Sequence, residues 1–184
     1  RKTKADYDGS ATDEKGYVAD NKMHALQSGI EHRSKNSESS LIFHYHNYDR
    51  EYNNSGYLDE YYSESFVVEG EQSLTLNDKI SIGYGSEYKY DWGHFENRGS
   101  YSASTRGHIK DLGVFVNAGY RINENQIFSI YSRSDDNNST GTNETYKLNY
   151  THIFNKFKFS GTHSTGLRNP SLYELYGSDN YGLG

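Results

Sequence analysis

His44 and His46 stand two apart in a stretch with strand character, which puts both on one face, where they could share a metal ion if a third ligand joined them. The spacing of the remaining histidines identifies no such ligand. Carboxylates are frequent, with 25 Asp and Glu, but they fall mainly in polar connections and at strand ends. No pair of them is set apart for general acid and base work. There is no Gly-x-Ser-x-Gly elbow and no phosphate-binding glycine loop. Without cysteine, neither a disulfide framework nor a thiolate metal site can form. No catalytic residue is assigned, and an enzyme is not expected. With 19 basic against 25 acidic residues the net charge is −6, so a nucleic-acid partner has no basic footprint to use.

The elements that carry these residues follow from composition and periodicity. Only 33% of the 184 residues are hydrophobic and the mean hydropathy is −1.00, poor material for a compact dry core. Yet 15% are aromatic, 19 of them Tyr, and disordered chains are depleted in aromatics. The mixture of Tyr, Gly, Ser and Asn suits many strands joined by polar connections. No apolar run approaches the length of a membrane-spanning helix. A barrel strand needs only one apolar face, so its signal is alternation.

That alternation is explicit. From Ile80 to Trp92 the even positions read Ile80, Ile82, Tyr84, Ser86, Tyr88, Tyr90, Trp92, against Ser81, Gly83, Gly85, Glu87, Lys89 and Asp91. A period of two cannot be an amphipathic helix. It returns from Leu112 to Ile122, and again with Tyr146, Leu148, Tyr150 and Phe154. Weaker patterns predict strands over about residues 23–33, 39–49, 61–73, 127–135 and 157–166, giving about eight in all.

The connections alternate in length. Short turns are predicted at Ser34 to Ser37, Asn77-Asp78-Lys79, Asn123-Glu124-Asn125 and Asn155-Lys156, and long polar segments at 1–22, 50–60, 91–110, 136–143 and 167–184. Outer-membrane barrels keep tight turns on the periplasmic side and long loops outside. Along residues 80–92 the apolar set starts aliphatic near the short turn and ends in Tyr88, Tyr90 and Trp92, an aromatic girdle at the outer interface. The opposite face is small and polar, as a lumen wall should be. The expected architecture is therefore all-β, an antiparallel transmembrane β-barrel segment. Both ends fall in outer polar segments, so residues 1–184 are expected to be an internal slice of a larger barrel. The bland alternative is a half-exposed antiparallel sheet of a soluble protein, which alternates in the same way.

The run Thr165-Gly166-Leu167-Arg168-Asn169-Pro170-Ser171-Leu172-Tyr173-Glu174-Leu175-Tyr176-Gly177 resembles a recurrent segment of the TonB-dependent outer-membrane receptors. In that family a strand ends in Gly, an aromatic, a basic residue and Ala-Pro, followed by Ser or Thr, Leu, and an acidic or aromatic Leu-Tyr-Gly ending. Leu167 and Asn169 depart from it, standing where an aromatic and Ala are usual. From the residues alone, Gly166 ends a strand, Asn169 caps a short helical turn, Pro170 takes its first position, and Leu172 and Leu175 share one side. Two readings stay open: the run folds the loop back on the barrel rim, or it touches a ligand.

A second resemblance, to the cobalamin transporters of that family, rests on His46-Asn47-Tyr48-Asp49-Arg50 leading to Tyr57-Leu58-Asp59-Glu60-Tyr61-Tyr62. These resemblances imply a bacterial outer-membrane barrel of about twenty-two strands, with a plug domain outside these residues through which TonB acts. The implied activity is uptake of a scarce nutrient complex, cobalamin being favoured and a ferric siderophore the alternative. The implied binding rim is Tyr57, Asp59, Tyr61, Arg168, Tyr173 and Tyr176. Those transporters also carry an Asp-rich calcium-binding loop, and Asp6, Asp8, Asp13 and Asp20, with Glu14, offer hard oxygen ligands, though not at EF-hand spacing. A solvated acidic loop is the alternative there. Rivals from other classes are a small outer-membrane barrel enzyme, which requires a catalytic His and acid on the outer rim, and a soluble carbohydrate-binding sheet with exposed Tyr.

Overall fold

Alternation of apolar and polar side chains commits most of this chain to extended backbone, and the backbone satisfies itself by pairing neighbour to neighbour. The computed structural model describes residues 2–6, 17–54, 57–98 and 103–177. Among them nine strands form one antiparallel sheet in sequence order. They are β1 (Lys2–Asp6), β2 (Tyr17–Arg33), β3 (Ser37–Asn54), β4 (Tyr57–Thr75), β5 (Ile80–Asn97), β6 (Ala103–Asn123), β7 (Gln126–Asn137), β8 (Gly141–Phe154) and β9 (Phe157–Ser164). No helix among the described residues is long and apolar enough to cross a membrane. The architecture is all-β, an antiparallel β-barrel segment.

The four short turns form where predicted, and asparagine builds three of them. The Asn77 side-chain carbonyl accepts from the Lys79 and Ile80 amides at 2.8 and 2.9 Å, and Asn123 accepts from Asn125 at 2.9 Å. Asn155 takes the left-handed conformation at φ 54°, which Asn tolerates better than most residues.

Four of the five long polar segments are corrected. β1 occupies Lys2–Asp6 and pairs with Val18–Lys22, inside a span predicted as loop. β3 runs on to Asn54, β5 to Asn97, and β6 begins at Ala103. Residues 136–143 hold a turn of only three, 138–140, built on the Asn137 side-chain carbonyl, which accepts from the amides of Ser139 (2.9 Å) and Thr140 (3.2 Å). Among the described residues the outer side is tall because strands of the hairpins extend beyond the apolar band. Above that band the outward face turns polar, so the hydropathy period fades while backbone pairing continues.

Direct cross-strand partners share a face, so the register sorts every side chain. Ile82, Ala118, Ile130 and Leu148 are successive partners on one face. That face also carries Leu26 at 67%, Ile30 at 71% and Val114 at 53% exposure. Buried hydrophobics among the described residues are Ala19, Phe95 and Ile109, so the aliphatics form no dry centre. The upper edge of the apolar band is a row of partners, Leu26, Tyr45, Phe66, Tyr90 and Lys110. The next row, His24, Asn47, Glu64, Trp92 and His108, is polar but for the indole. The aromatic girdle therefore sits where the face turns from apolar to polar.

Residues 165–177 fold over the opposite, inward face. Ser171 rather than Asn169 caps the helical turn at Tyr173–Gly177: the Glu174 amide donates to its hydroxyl at 3.2 Å and its own amide donates to the Glu174 carboxylate at 2.7 Å, a capping box. Asn169 instead ties the loop to the wall, donating to Asp111 and accepting from the Thr140 hydroxyl, each at 3.2 Å. Leu172 lies over Gly93 and the Tyr176 ring occupies the space a Cβ at Gly107 would need. The Tyr176 hydroxyl reaches the His108 carbonyl at 3.3 Å.

Two outcomes follow for the full-length protein. Ile130→Lys, at mid-height of the apolar face, lowers unfolding stability in bilayers by about 2–4 kcal/mol, whereas Ser129→Lys on the inward face of the same strand does not; a urea titration followed by gel mobility reads both. Gly107→Val displaces Tyr176, so limited proteolysis should cleave within residues 165–177 several times faster than in the parent while the strands stay protected.

Candidate functional site

At the outer end of the inward face, three rows of cross-strand partners build a cleft of about 670 Å³. The rows are Ala19, Tyr52, Asp59, Asn97; then Asn21, Arg50, Tyr61, Phe95; then Met23, Tyr48, Ser63, Gly93. The loop over Ser171, Leu172 and Tyr173 closes one side. From these rows strand alternation presents Tyr48, Arg50, Tyr52, Asp59, Tyr61, Ser63 and Phe95 to the cleft, and the glycine at 93 leaves the depth that Leu172 and the Phe95 ring share.

The floor is aromatic. Tyr61 packs edge-on against Tyr52 at 5.9 Å and Phe95 at 5.8 Å, and Tyr173 of the loop meets Tyr61 at 5.7 Å and Phe95 at 5.9 Å. Arg50 is fixed at the edge of this floor. Its Nε donates to the Asn21 side-chain carbonyl at 2.7 Å, which also accepts from the Tyr48 hydroxyl at 2.8 Å, and its guanidinium lies 4.6 Å from the Tyr52 ring centre. Among the described residues Arg50 has no carboxylate partner. Asp59 stands in the same cleft with its Oδ1 buried and unbonded, and burial pushes its carboxyl above the usual range. An oriented cation, an acceptor and a broad ring surface suit a sizeable organic ligand bearing both donors and acceptors.

Of the six rim residues predicted, Asp59, Tyr61 and Tyr173 line this cleft. Tyr57 lies exposed at the β3–β4 hairpin tip, Arg168 pairs with Glu174 on the outside of the loop, and Tyr176 packs against the wall at Gly107. The Ser171 amide, the Ser171 hydroxyl and Arg168 together hold the Glu174 carboxyl below its usual range. The run 165–177 thus combines the two readings: Tyr176 and Leu172 fold the loop back, and Tyr173 faces the cleft. Tyr48, Arg50, Tyr52 and Phe95 were not singled out as rim residues. The signal that could have found them is the period of two continued past residue 49, which places 48, 50 and 52 together.

His46 lines a second, smaller cleft of about 370 Å³ beside Asp91, Asp111 and Asn169. Among the described residues no three His, Asp or Glu come together as metal ligands. Of the predicted calcium ligands, Asp8 and Asp13 lie outside the described residues. Asp6 is placed on β1 by its backbone and Asp20 on β2, facing away from the cleft across the register from Lys4 and Glu51.

No protein-family model matches this chain. Over 119 residues, 64% of the chain, it is 31% identical to the vitamin B12 transporter BtuB of Photobacterium profundum. The match takes in 19% of that protein, so the chain spans about a fifth of the length of the curated relative it matches. The likeness is partial, and it agrees with the resemblance of residues 165–177 in pointing to a relationship with the TonB-dependent receptors.

Proposed function

We propose that this chain is part of the wall and binding rim of a bacterial outer-membrane transporter that takes up a vitamin B12-like substrate in a TonB-dependent manner. The observation that carries the proposal is the outward face of the sheet, apolar and exposed along successive strands, with a ligand-sized cleft on the opposite face. The 31% identity to a vitamin B12 transporter supports the choice of substrate. In this reading the chain is a transporter component and not an enzyme. The plug that TonB engages belongs to the remainder of the protein, and the lipid bilayer covers Ile82, Val114 and Leu148. Calcium at Asp6, Asp8, Asp13 and Asp20 belongs to the same reading, as an aid to ordering the outer rim rather than a reacting group.

Arg50 orients a polar edge of the substrate, Tyr52, Tyr61, Phe95 and Tyr173 cover an apolar one, and Asp59 accepts or donates a hydrogen bond. Titrating the full-length protein with cyanocobalamin and with a panel of ferric siderophores, each with and without calcium, tests this. Cyanocobalamin should bind, with Tyr61→Ala and Arg50→Ala each weakening it about tenfold or more. Tight binding of a siderophore with none of cyanocobalamin would overturn the substrate assignment.

A further inference from the structure

Uptake through the inward cleft leaves unused a group of cations on the outward face. On β6, Lys110, His108 and Arg106 alternate outward and all three are exposed. Directly across on β5 stand Tyr90, Trp92 and His94. The group begins one row beyond Tyr88 and Leu112, the last apolar pair on these strands. Arg106 lies four residues above Lys110, roughly 13 Å along the strand. The site is held firmly: the Lys110 amide donates to the Asn138 side chain at 2.7 Å, the His108 ring stacks on Tyr90 at 6.0 Å, and Trp92 meets Tyr62 at 5.7 Å.

Two other described cations on the outward face of the outer region are neutralised locally. Lys22 reaches Asp49 at 3.5 Å, and Arg98 reaches Glu96 and Glu60 at 2.7 and 3.1 Å. Arg106 and Lys110 have no carboxylate partner among the described residues. The neighbouring acids are engaged elsewhere. Glu64 accepts from the hydroxyls of Tyr45 (3.0 Å) and Tyr62 (2.6 Å), Glu96 is held by Arg98, and Asp136 accepts from Thr142 at 3.3 Å. In a chain of net charge −6, two cations that form no ion pair among the described residues persist just above an apolar band, between rings that favour an interface.

We propose that Lys110 and Arg106, flanked by Tyr90 and Trp92, seat the phosphorylated headgroup of an outer-leaflet lipid. At that height against an outward-facing wall, the neighbouring molecules are lipids, and the charge that complements two cations there is headgroup phosphate. The site rests on the membrane reading but is separate from the substrate cleft, which lies on the other face of the sheet. Seating a headgroup there would fix the height and tilt of the wall, leaving the rim at a constant distance from the membrane.

Native mass spectrometry of the full-length protein in detergent, titrated with lipid A as the diphosphorylated glycolipid, tests the proposal. The R106Q/K110Q double variant should lose lipid affinity by about thirty-fold, the loss expected for two cations at an anionic lipid surface. Lys22→Gln, which removes a cation already paired, should leave affinity within about twofold. Unchanged lipid A binding in R106Q/K110Q overturns the proposal, as does equal occupancy by inorganic phosphate alone. Failure of the parent protein to insert into bilayers overturns the membrane reading and this site with it. Insertion with unchanged lipid binding in the double variant overturns the site alone.

Discussion

A peptide group in hydrocarbon has no water to replace a missing hydrogen-bond partner, so every amide and carbonyl at that depth must be satisfied by the protein itself. Through the apolar band β3 to β7 meet this requirement by pairing on both sides, and the register irregularity between β6 and β7 falls at Arg121 and Asn123, beside a tight turn. Pairing of this kind fixes the period at two, and the period fixes the faces. Ile82, Ala118, Ile130 and Leu148 are aligned outward by the same register that aligns Arg50, Tyr61 and Phe95 inward. The apolar coat and the polar cleft are two consequences of one ladder.

What the sequence made legible was decided by where the two faces differ. Residues 80–92, 112–122 and 146–154 alternate cleanly because one face is apolar and the other polar, and these strands form as predicted. Where the outward face turns polar the contrast vanishes. Residues 50–54, 57–60 and 93–97 therefore read as loop although their backbones stay in the sheet. The same loss hid β1 and a three-residue turn at 138–140. The cleft suffered most, since it lies at this outer level. Asp59, Tyr61 and Tyr173 were read from local resemblance, while Tyr48, Arg50, Tyr52 and Phe95 needed the register to be seen as neighbours.

The loop at 165–177 shows how a short motif becomes a wall element. Its capping box closes one helical turn, which sets Leu172, Tyr173 and Tyr176 at fixed angles. Two positions on the wall, Gly93 and Gly107, lack the side chains that would block them. Asn169, which departs from the usual pattern of the TonB-dependent receptors, is the residue that bonds to Asp111 and Thr140. A substitution that looks like a weakness of the resemblance thus has a structural use in this chain.

The account depends on lipid lying against every second side chain of the central strands. The absence of native cysteine in this stretch makes scanning direct. Single cysteines placed in turn from Leu112 to Tyr120 of the full-length protein, labelled with a fluorophore in native outer membranes, can be challenged with a lipid-soluble and a water-soluble quencher. Positions 112, 114, 116, 118 and 120 should respond to the lipid-soluble quencher, and 113, 115, 117 and 119 should escape it. Equal quenching along the run, or lipid contact at the odd positions instead, would contradict the assignment of faces and the transport role built on it.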